Sequence, residues 1–233
     1  MTYVMSDLHG QYEKYRKMLE LIRFSDEDEL YVLGDVLDRG PHPIRLLRDM
    51  SLRHNVFPLM GNHEHMAETL LRRLCVEITE QNAETQVTAD VLRGMLLWQQ
   101  NGSESTLREF RALSADERFE ILSYLEEFSL CEELTVGDNR FVLVHASLPD
   151  FSPERSPYDY EDVRMLNERA DYDREYYPDR YLITGHTPTL IIDPACRGRI
   201  LRRGRHIAID CGAGHGLPLG CLRLDDLREF YVE

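Results

Sequence analysis

Three short segments within the first 64 residues concentrate the side chains that could do chemistry: Asp7-Leu8-His9-Gly10, Gly34-Asp35-Val36-Leu37-Asp38-Arg39-Gly40 and Gly61-Asn62-His63-Glu64. Carboxylates, imidazoles and a carboxamide of this kind suit borderline divalent cations. Two such cations about 3.5–4 Å apart are the machinery of metal-assisted phosphoester hydrolysis. Asp7 and His9 stand at i and i+2, so at an extended strand end both point to one side. Two later segments, Val144-His145-Ala146 and Thr184-Gly185-His186-Thr187-Pro188, offer further imidazoles.

The elements that must position these residues are legible in outline. Each of the first three segments follows a short β-type run (2–6, 29–33 and 56–60), which places them at the carboxyl ends of adjacent strands. Apolar spacing predicts a helix over 11–23, with Tyr15, Met18, Leu19 and Ile22 on one face. A second helix is expected over 44–53, led in by Pro41 and Pro43. A third should begin near Glu64 and carry Met66, Leu70, Leu71 and Leu74. Residues 77–90 have weak periodicity and read as exposed. A helical cap should follow over about 90–128, with a capping box at Ser114–Glu117 ahead of Phe119, Ile121, Leu122 and Leu125. A hairpin is expected at 132–136 and 140–145 around Gly137-Asp138-Asn139, then a proline- and tyrosine-bearing loop over 146–180. Strands are expected at 181–184, 200–203, 206–210, 220–224 and 229–232. The order of elements gives a mixed α/β class and does not by itself separate a sandwich from a doubly wound sheet.

The ordered motifs D-x-H-G, G-D-x-x-D-R-G and G-N-H-E, followed by the two histidine segments, resemble the phosphoprotein phosphatases within the calcineurin-like metallophosphoesterases. Trp98-Gln-Gln-Asn101-Gly102-Ser-Glu-Ser-Thr106-Leu107 is similar to the W-x-x-N-G-G-x-x-T-L stretch of many bacterial members. The resemblance implies a central β-sandwich flanked by helices in one domain spanning 1–233, with 77–130 a helical insertion beside the site. It implies that Asp7, His9 and Asp35 bind one metal, and that Asp35, Asn62, His145 and His186 bind a second, with Asp35 bridging. Singly, each has a plainer reading: Asp7 or Asn62 as a turn former, His145 as a core histidine. Manganese is the expected metal, with iron or zinc also suited. The metals would activate a water for in-line attack on phosphorus. His63 would protonate the leaving oxygen, Asp38 would orient His63, and Arg39 would grip the phosphoryl oxygens.

Two departures bear on substrate. Met60 stands where many protein phosphatases of the family have arginine. Leu166-Asn167-Glu168-Arg169 is the nearest match to a usual L-W-x-R, which makes Arg169 the candidate second phosphate contact, with Arg155 and Arg164 as rivals. The motifs favour phosphoserine or phosphothreonine in proteins as substrate. The alternatives are dinucleoside tetraphosphates, small phosphomonoesters, or a non-catalytic binding module. His65 and His215 could line the cleft. Tyr158, Tyr160, Tyr172, Tyr176 and Tyr177 read as packing and rim, or as a stack for a nucleotide base.

Composition sets the remaining bounds. With 42 acidic and 27 basic side chains, the formal charge of −15 argues against nucleic acid as a general partner. No apolar run approaches a membrane span. Entry straight into a strand and a metal motif leaves no signal peptide to expect. Five widely spaced cysteines suggest reduced thiols in a cytoplasmic protein.

Overall fold

The computed structural model describes residues 1–160 and 163–233. In chain order the elements are β1 (Thr2–Met5), α1 (Tyr12–Ile22), β2 (Glu29–Val32), α2 (Pro43–Ser51), β3 (Val56–Pro58), α3 (Asn62–Leu74), α4 (Ala83–Gln86), α5 (Ala89–Gln100), α6 (Glu104–Arg111), α7 (Ala115–Leu125), β4 (Cys131–Val136), β5 (Asn139–Val144), β6 (Tyr181–Thr184), α8 (Thr189–Ile192), β7 (Leu201–Arg203), β8 (His206–Ala208), β9 (Leu219–Arg223) and β10 (Arg228–Val232). One sheet has the order β10-β9-β1-β2-β3, the other β4-β5-β6-β8-β7. The strands that lead into the motif segments are parallel: β1, β2 and β3 in one sheet, β5, β6 and β8 in the other.

Side-chain alternation stacks the two sheets into a sandwich. On β1 and β2, Tyr3, Met5, Leu30 and Val32 face the helices. Val4, Tyr31 and Leu33 face the other way and meet Phe141, Leu143, Ile183 and Ile207 of the second sheet. The period of two then sends Val142, Val144, Leu182 and Ala208 to the far side. There they lie under Leu148, Phe151, Tyr160, Tyr172, Tyr176 and Tyr177. This is the mixed α/β sandwich that the resemblance implied. It also decides the tyrosines: Tyr160, Tyr172, Tyr176 and Tyr177 are buried as the cover of a sheet face, so they are not free to stack on a base. Tyr158 stays 53% exposed, its hydroxyl accepting from the Glu133 amide.

α1 and α2 fall within a residue or two of their expected positions, the expected cap resolves into α5, α6 and α7, and α4 and α8 are short helices that the spacing did not predict. α1 buries Tyr15, Met18, Leu19 and Ile22, with Tyr12 added. α7 carries the expected capping box, in which Glu117 accepts from the Ser114 amide at 2.9 Å and returns its own amide to the Ser114 hydroxyl at 3.3 Å. Phe119 departs from expectation: it lies on the outer side of α7, 72% exposed, while Ile121, Leu122 and Leu125 point inward. α3 begins two residues earlier than expected. Gly61 is extended, and the Glu64 carboxylate reaches back to its amide, so helix starts at Asn62. α5, α6 and α7 pack on α2 and α3. Among the described residues no helix is long and apolar enough to cross a membrane.

Candidate metal centre

The site forms where the parallel strands of both sheets end. Beyond β1 and β2 the two loops run side by side: the Asp7 amide donates to the Gly34 carbonyl at 3.1 Å, His9 to Asp35 at 2.8 Å and Gly10 to Val36 at 2.7 Å. Nine non-glycine residues among those described have positive φ, and six belong to the motif segments: Asp7, His9, Asp35, Asp38, Arg39 and His186. Each such conformation costs about 1–3 kcal/mol and persists only where its surroundings over-determine it.

Glu64 is much of that surrounding. Its side chain is wholly buried. One carboxylate oxygen accepts from the amides of Asp35 (2.7 Å) and Gly61 (3.1 Å). The other accepts from Val36 and Leu37, both at 2.9 Å. Burial, then the charge of Asp35, push the Glu64 carboxyl up to about 7, against the amides that favour its ionised form. A side chain at position 61 would break this packing, because its Cβ would lie 2.4 Å from the Asp35 amide nitrogen and carboxylate.

Donor atoms converge inside these loops. His9, Asp35 and His63 form one group, and Asp35, His145 and His186 a second; within each, one donor atom per residue lies within 4.8 Å of the others. Asp35 belongs to both. Its carboxylate stands 3.6 Å from His9 Nε2, 3.8 Å from His63 Nε2 and 3.4 Å from His145 Nε2. Asn62 joins the second group, its Oδ1 3.1 Å from His145 Nε2 and 3.0 Å from His186 Nδ1. Asp7 lies beside the groups, its carboxylate accepting from the Ser6 hydroxyl and, at 2.9 Å, from the His186 amide.

The imidazoles are presented as ligands are. His9 Nδ1 donates to the Leu37 carbonyl at 2.9 Å and His145 Nδ1 to Leu33 at 2.6 Å. His186 turns the other way, Nε2 donating to the Asn167 carbonyl at 3.2 Å. In each case the second nitrogen faces Asp35 or Asn62, the arrangement by which outer hydrogen bonds orient metal-bound histidines. Burial depresses His9 to about 3, and burial with the neighbouring His145 depresses His186 to about 4. Burial and Asp35 push Asp7 up to about 6. Asp210, also buried, is pushed well above the usual carboxylate range by burial and Asp7. Imidazole nitrogens and carboxylate and carboxamide oxygens thus converge in a buried space, and a donor set of this kind fits divalent cations.

Beside the cluster, His63 Nδ1 meets the Asp38 carboxylate at 2.6 Å, both side chains buried. Burial opposes charge on His63, but Asp35 and Asp38 outweigh it and raise its pKa above the ordinary value. Arg39 bridges His63 Nε2 and His215 Nε2, each at 3.1 Å. His215 therefore does line the cleft. Met60 is buried in the core and offers the site nothing. Arg169 is exposed and close enough to His186 for its charge to be felt there. The rivals point elsewhere: Arg155 lies over the Tyr160 ring, and Arg164 engages Asp150 and Glu168.

Sequence reasoning gave no role to Trp98, Thr106, Ser6 or Asp210. Trp98 Nε1 donates to Asp38 Oδ2 at 2.7 Å, and the Thr106 hydroxyl donates to Asp38 Oδ1 at 2.6 Å. The one available signal was the Trp98–Leu107 stretch, whose partner could not be read from its spacing. A cavity of about 490 Å³ between α1, α2 and α6 contains none of these residues. We place the chemistry at the strand ends, where the donor atoms converge.

Comparison with known proteins agrees with this geometry. Residues 2–190 match the calcineurin-like phosphoesterase family. The chain is 28% identical to the symmetrical bis(5'-nucleosyl)-tetraphosphatase of Nitrosospira multiformis, an alignment covering 97% of this chain and 76% of that protein. It is 24% identical to the asymmetrical bis(5'-nucleosyl)-tetraphosphatase PrpE of Halalkalibacterium halodurans, covering 97% and 90%. The solved structure of a candidate diadenosine tetraphosphatase superposes with a TM-score of 0.65 over 99% of this chain and 92% of that one; at 15% identity this shows the fold alone. With the matched segment covering β1 to β6, strands of both sheets, and every motif through His186, the chain belongs to the calcineurin-like phosphoesterase family.

Proposed function

We propose that this protein hydrolyses dinucleoside tetraphosphates at a dinuclear metal centre. The observation that carries the substrate is the near full-length similarity to relatives named for that activity. Phosphoserine or phosphothreonine in proteins, which the motifs favoured, has no support among these relatives and gives way to the alternative weighed beside it. Buried Met60 is consistent with this, since a cation expected of many protein phosphatases is missing.

In this reading Asp7, His9 and Asp35 hold one cation, and Asp35, Asn62, His145 and His186 hold the other. Manganese is the first choice, although oxygen and nitrogen donors also suit iron and zinc. The cations would lower the pKa of water toward neutrality and draw charge from the phosphoryl oxygens. Asp38 fixes His63 with Nδ1 protonated, which leaves Nε2 facing the cleft. At rest Nε2 accepts from Arg39. A phosphoryl group that draws the guanidinium to itself frees Nε2 to carry the proton that the leaving oxygen needs. Arg169, on the rim beside His186, meets a second phosphate of an extended polyphosphate chain.

The test offers three substrates to chelated protein reloaded with manganese: diadenosine tetraphosphate, a phosphothreonine peptide and an aryl phosphate. Preferred turnover of the dinucleotide supports the proposal. Preferred turnover of the peptide restores the protein-phosphatase reading with the metal chemistry intact.

A further inference from the structure

The stretch from Trp98 to Leu107 has no part in the metal chemistry, yet it reaches the site more closely than any other part of the helical segment. Trp98, at the end of α5, and Thr106, in α6, are both fully buried. Between them they occupy both oxygens of the Asp38 carboxylate: Oδ2 takes the indole N–H at 2.7 Å and Oδ1 the threonine hydroxyl at 2.6 Å. The same hydroxyl accepts the Asp38 amide at 3.0 Å, which fixes backbone and side chain together. Asp38 Oδ2 is also the oxygen that holds His63. One residue on, the Arg39 amide donates to the Gly102 carbonyl at 2.9 Å. Gly102 has φ +98°, and a Cβ there would lie 2.9 Å from Arg39 Cγ. The corner between α5 and α6 therefore grips two consecutive residues, the one that orients His63 and the one that reaches toward phosphate.

We propose that Trp98 and Thr106 are positioning residues for proton delivery, setting the Asp38 carboxylate so that His63 presents Nε2 to the leaving group, while Gly102 seats Arg39. The inference rests on the reading of His63 as proton donor. In the step concerned, the bond from phosphorus to the leaving oxygen breaks and its electron pair stays on that oxygen. The proton on His63 Nε2, taken up from solvent once Arg39 has turned to the phosphoryl group, transfers to it. Water supplies the new P–O bond and releases its proton to solvent. Two hydrogen bonds from Trp98 and Thr106 leave the carboxylate no freedom to rotate away from Nδ1. An imidazole held this way keeps one tautomer and one ring direction. The helical segment is thus a working part of the site rather than only a cover over α2 and α3.

Proton donation matters most when the leaving oxygen is strongly basic and least when it is a good leaving group. The experiment measures manganese-loaded parent, Thr106→Val, Thr106→Ser and Trp98→Phe on phosphate monoesters graded from dinitrophenyl phosphate to an alkyl phosphate. Thr106→Val and Trp98→Phe are expected to fall about 10- to 100-fold on the alkyl ester and no more than about 3-fold on the dinitrophenyl ester. Thr106→Ser, which keeps the hydroxyl, should recover most of the loss. Trp98 is a large core residue, so the threonine pair carries the test if Trp98→Phe folds poorly. Proton NMR of the metal-free protein gives a readout independent of turnover: a low-field His63 Nδ1–H signal, absent in His63→Asn, should shift in Thr106→Val. Equal falls along the whole ester series, or an unmoved signal with no kinetic change, would overturn the proposal. A parent protein inactive on every ester and on diadenosine tetraphosphate alike would instead bring down the reading of the site, and this inference with it.

Discussion

Replacing Glu64 by glutamine tests whether the metal-binding loops are held by the protein itself. The carboxylate accepts four backbone amides, two on each oxygen, in a site closed to water. A glutamine side chain is nearly the same size but has only one oxygen. In either orientation its NH₂ group faces two of the four amides, so two donors lose their acceptor and meet another donor. A buried donor left unpaired costs about 1–3 kcal/mol, so Glu64→Gln should lose about 2–6 kcal/mol. A domain has about 5–15 kcal/mol in total, so the midpoint of urea unfolding should move far. The measurement belongs on metal-free protein, where bound cations cannot mask the effect by mass action. A loss below about 1 kcal/mol, far less than even one unpaired buried amide would cost at the upper end, would refute the claim that this carboxylate holds the four amides and with them the Asp35 turn.

Two further outcomes follow from the site and from the second sheet. Asp35→Asn and His63→Asn should both abolish turnover, but metal analysis should find the cations reduced in the first and retained in the second; loss of metal from His63→Asn would make His63 a ligand rather than the proton donor. His206 is buried, stacked on Tyr172, and depressed by burial to about 4. It is therefore neutral in the folded protein, while the unfolded chain binds its proton near pH 6.5, so its contribution is complete above about pH 6.5 and is lost as pH falls toward 4. Between pH 7 and pH 5 the loss is about 2 kcal/mol, and urea unfolding of His206→Asn should show a correspondingly shallower dependence over that range.

How much of this was legible in the sequence depended on the range of the interaction. The strands were readable because side chains alternate every second residue, and that local rule sets which face of Val4 or Tyr31 meets the other sheet. The convergence of Asp35, Asn62, His145 and His186 was readable because ordered motifs at strand ends bring their side chains to one place. Asp38 is different. The resemblance implied its pairing with His63, but Trp98 and Thr106 reach it from two further helices, and no periodicity links one helix to the carboxylate of a distant loop. The left-handed turns at Asp7, His9, Asp35 and His186 were hidden for a similar reason, since an aspartate or histidine does not announce positive φ as glycine does. The sequence marks Glu64 only as the end of the third motif and the place near which a helix begins. The structure puts it at the third residue of α3 and under the Asp35 turn. The departures at Met60 and Arg169 could not be interpreted from the motifs, because where each side chain lies depends on how the surrounding loops fold.

β1 carries the first motif, yet it is an interior strand, paired with β2 on one side and with β9 on the other. During synthesis β1 emerges long before β9, so while the chain between them is made the strand bearing Asp7 has an open edge. The His186 amide that steadies the Asp7 carboxylate also arrives late. A nascent chain can pair β1, β2 and β3 early, but it cannot close the sheet or complete the site until residues 219–223 leave the ribosome. Growing chains would meanwhile expose an apolar, unpaired edge of the kind that invites association between chains. Dependence on holding chaperones should therefore end abruptly once that segment has emerged rather than decline steadily, and chains held on stalled ribosomes with residues 219–223 still inside the exit tunnel, or carried fully outside it by an added C-terminal spacer, should differ sharply in protease resistance.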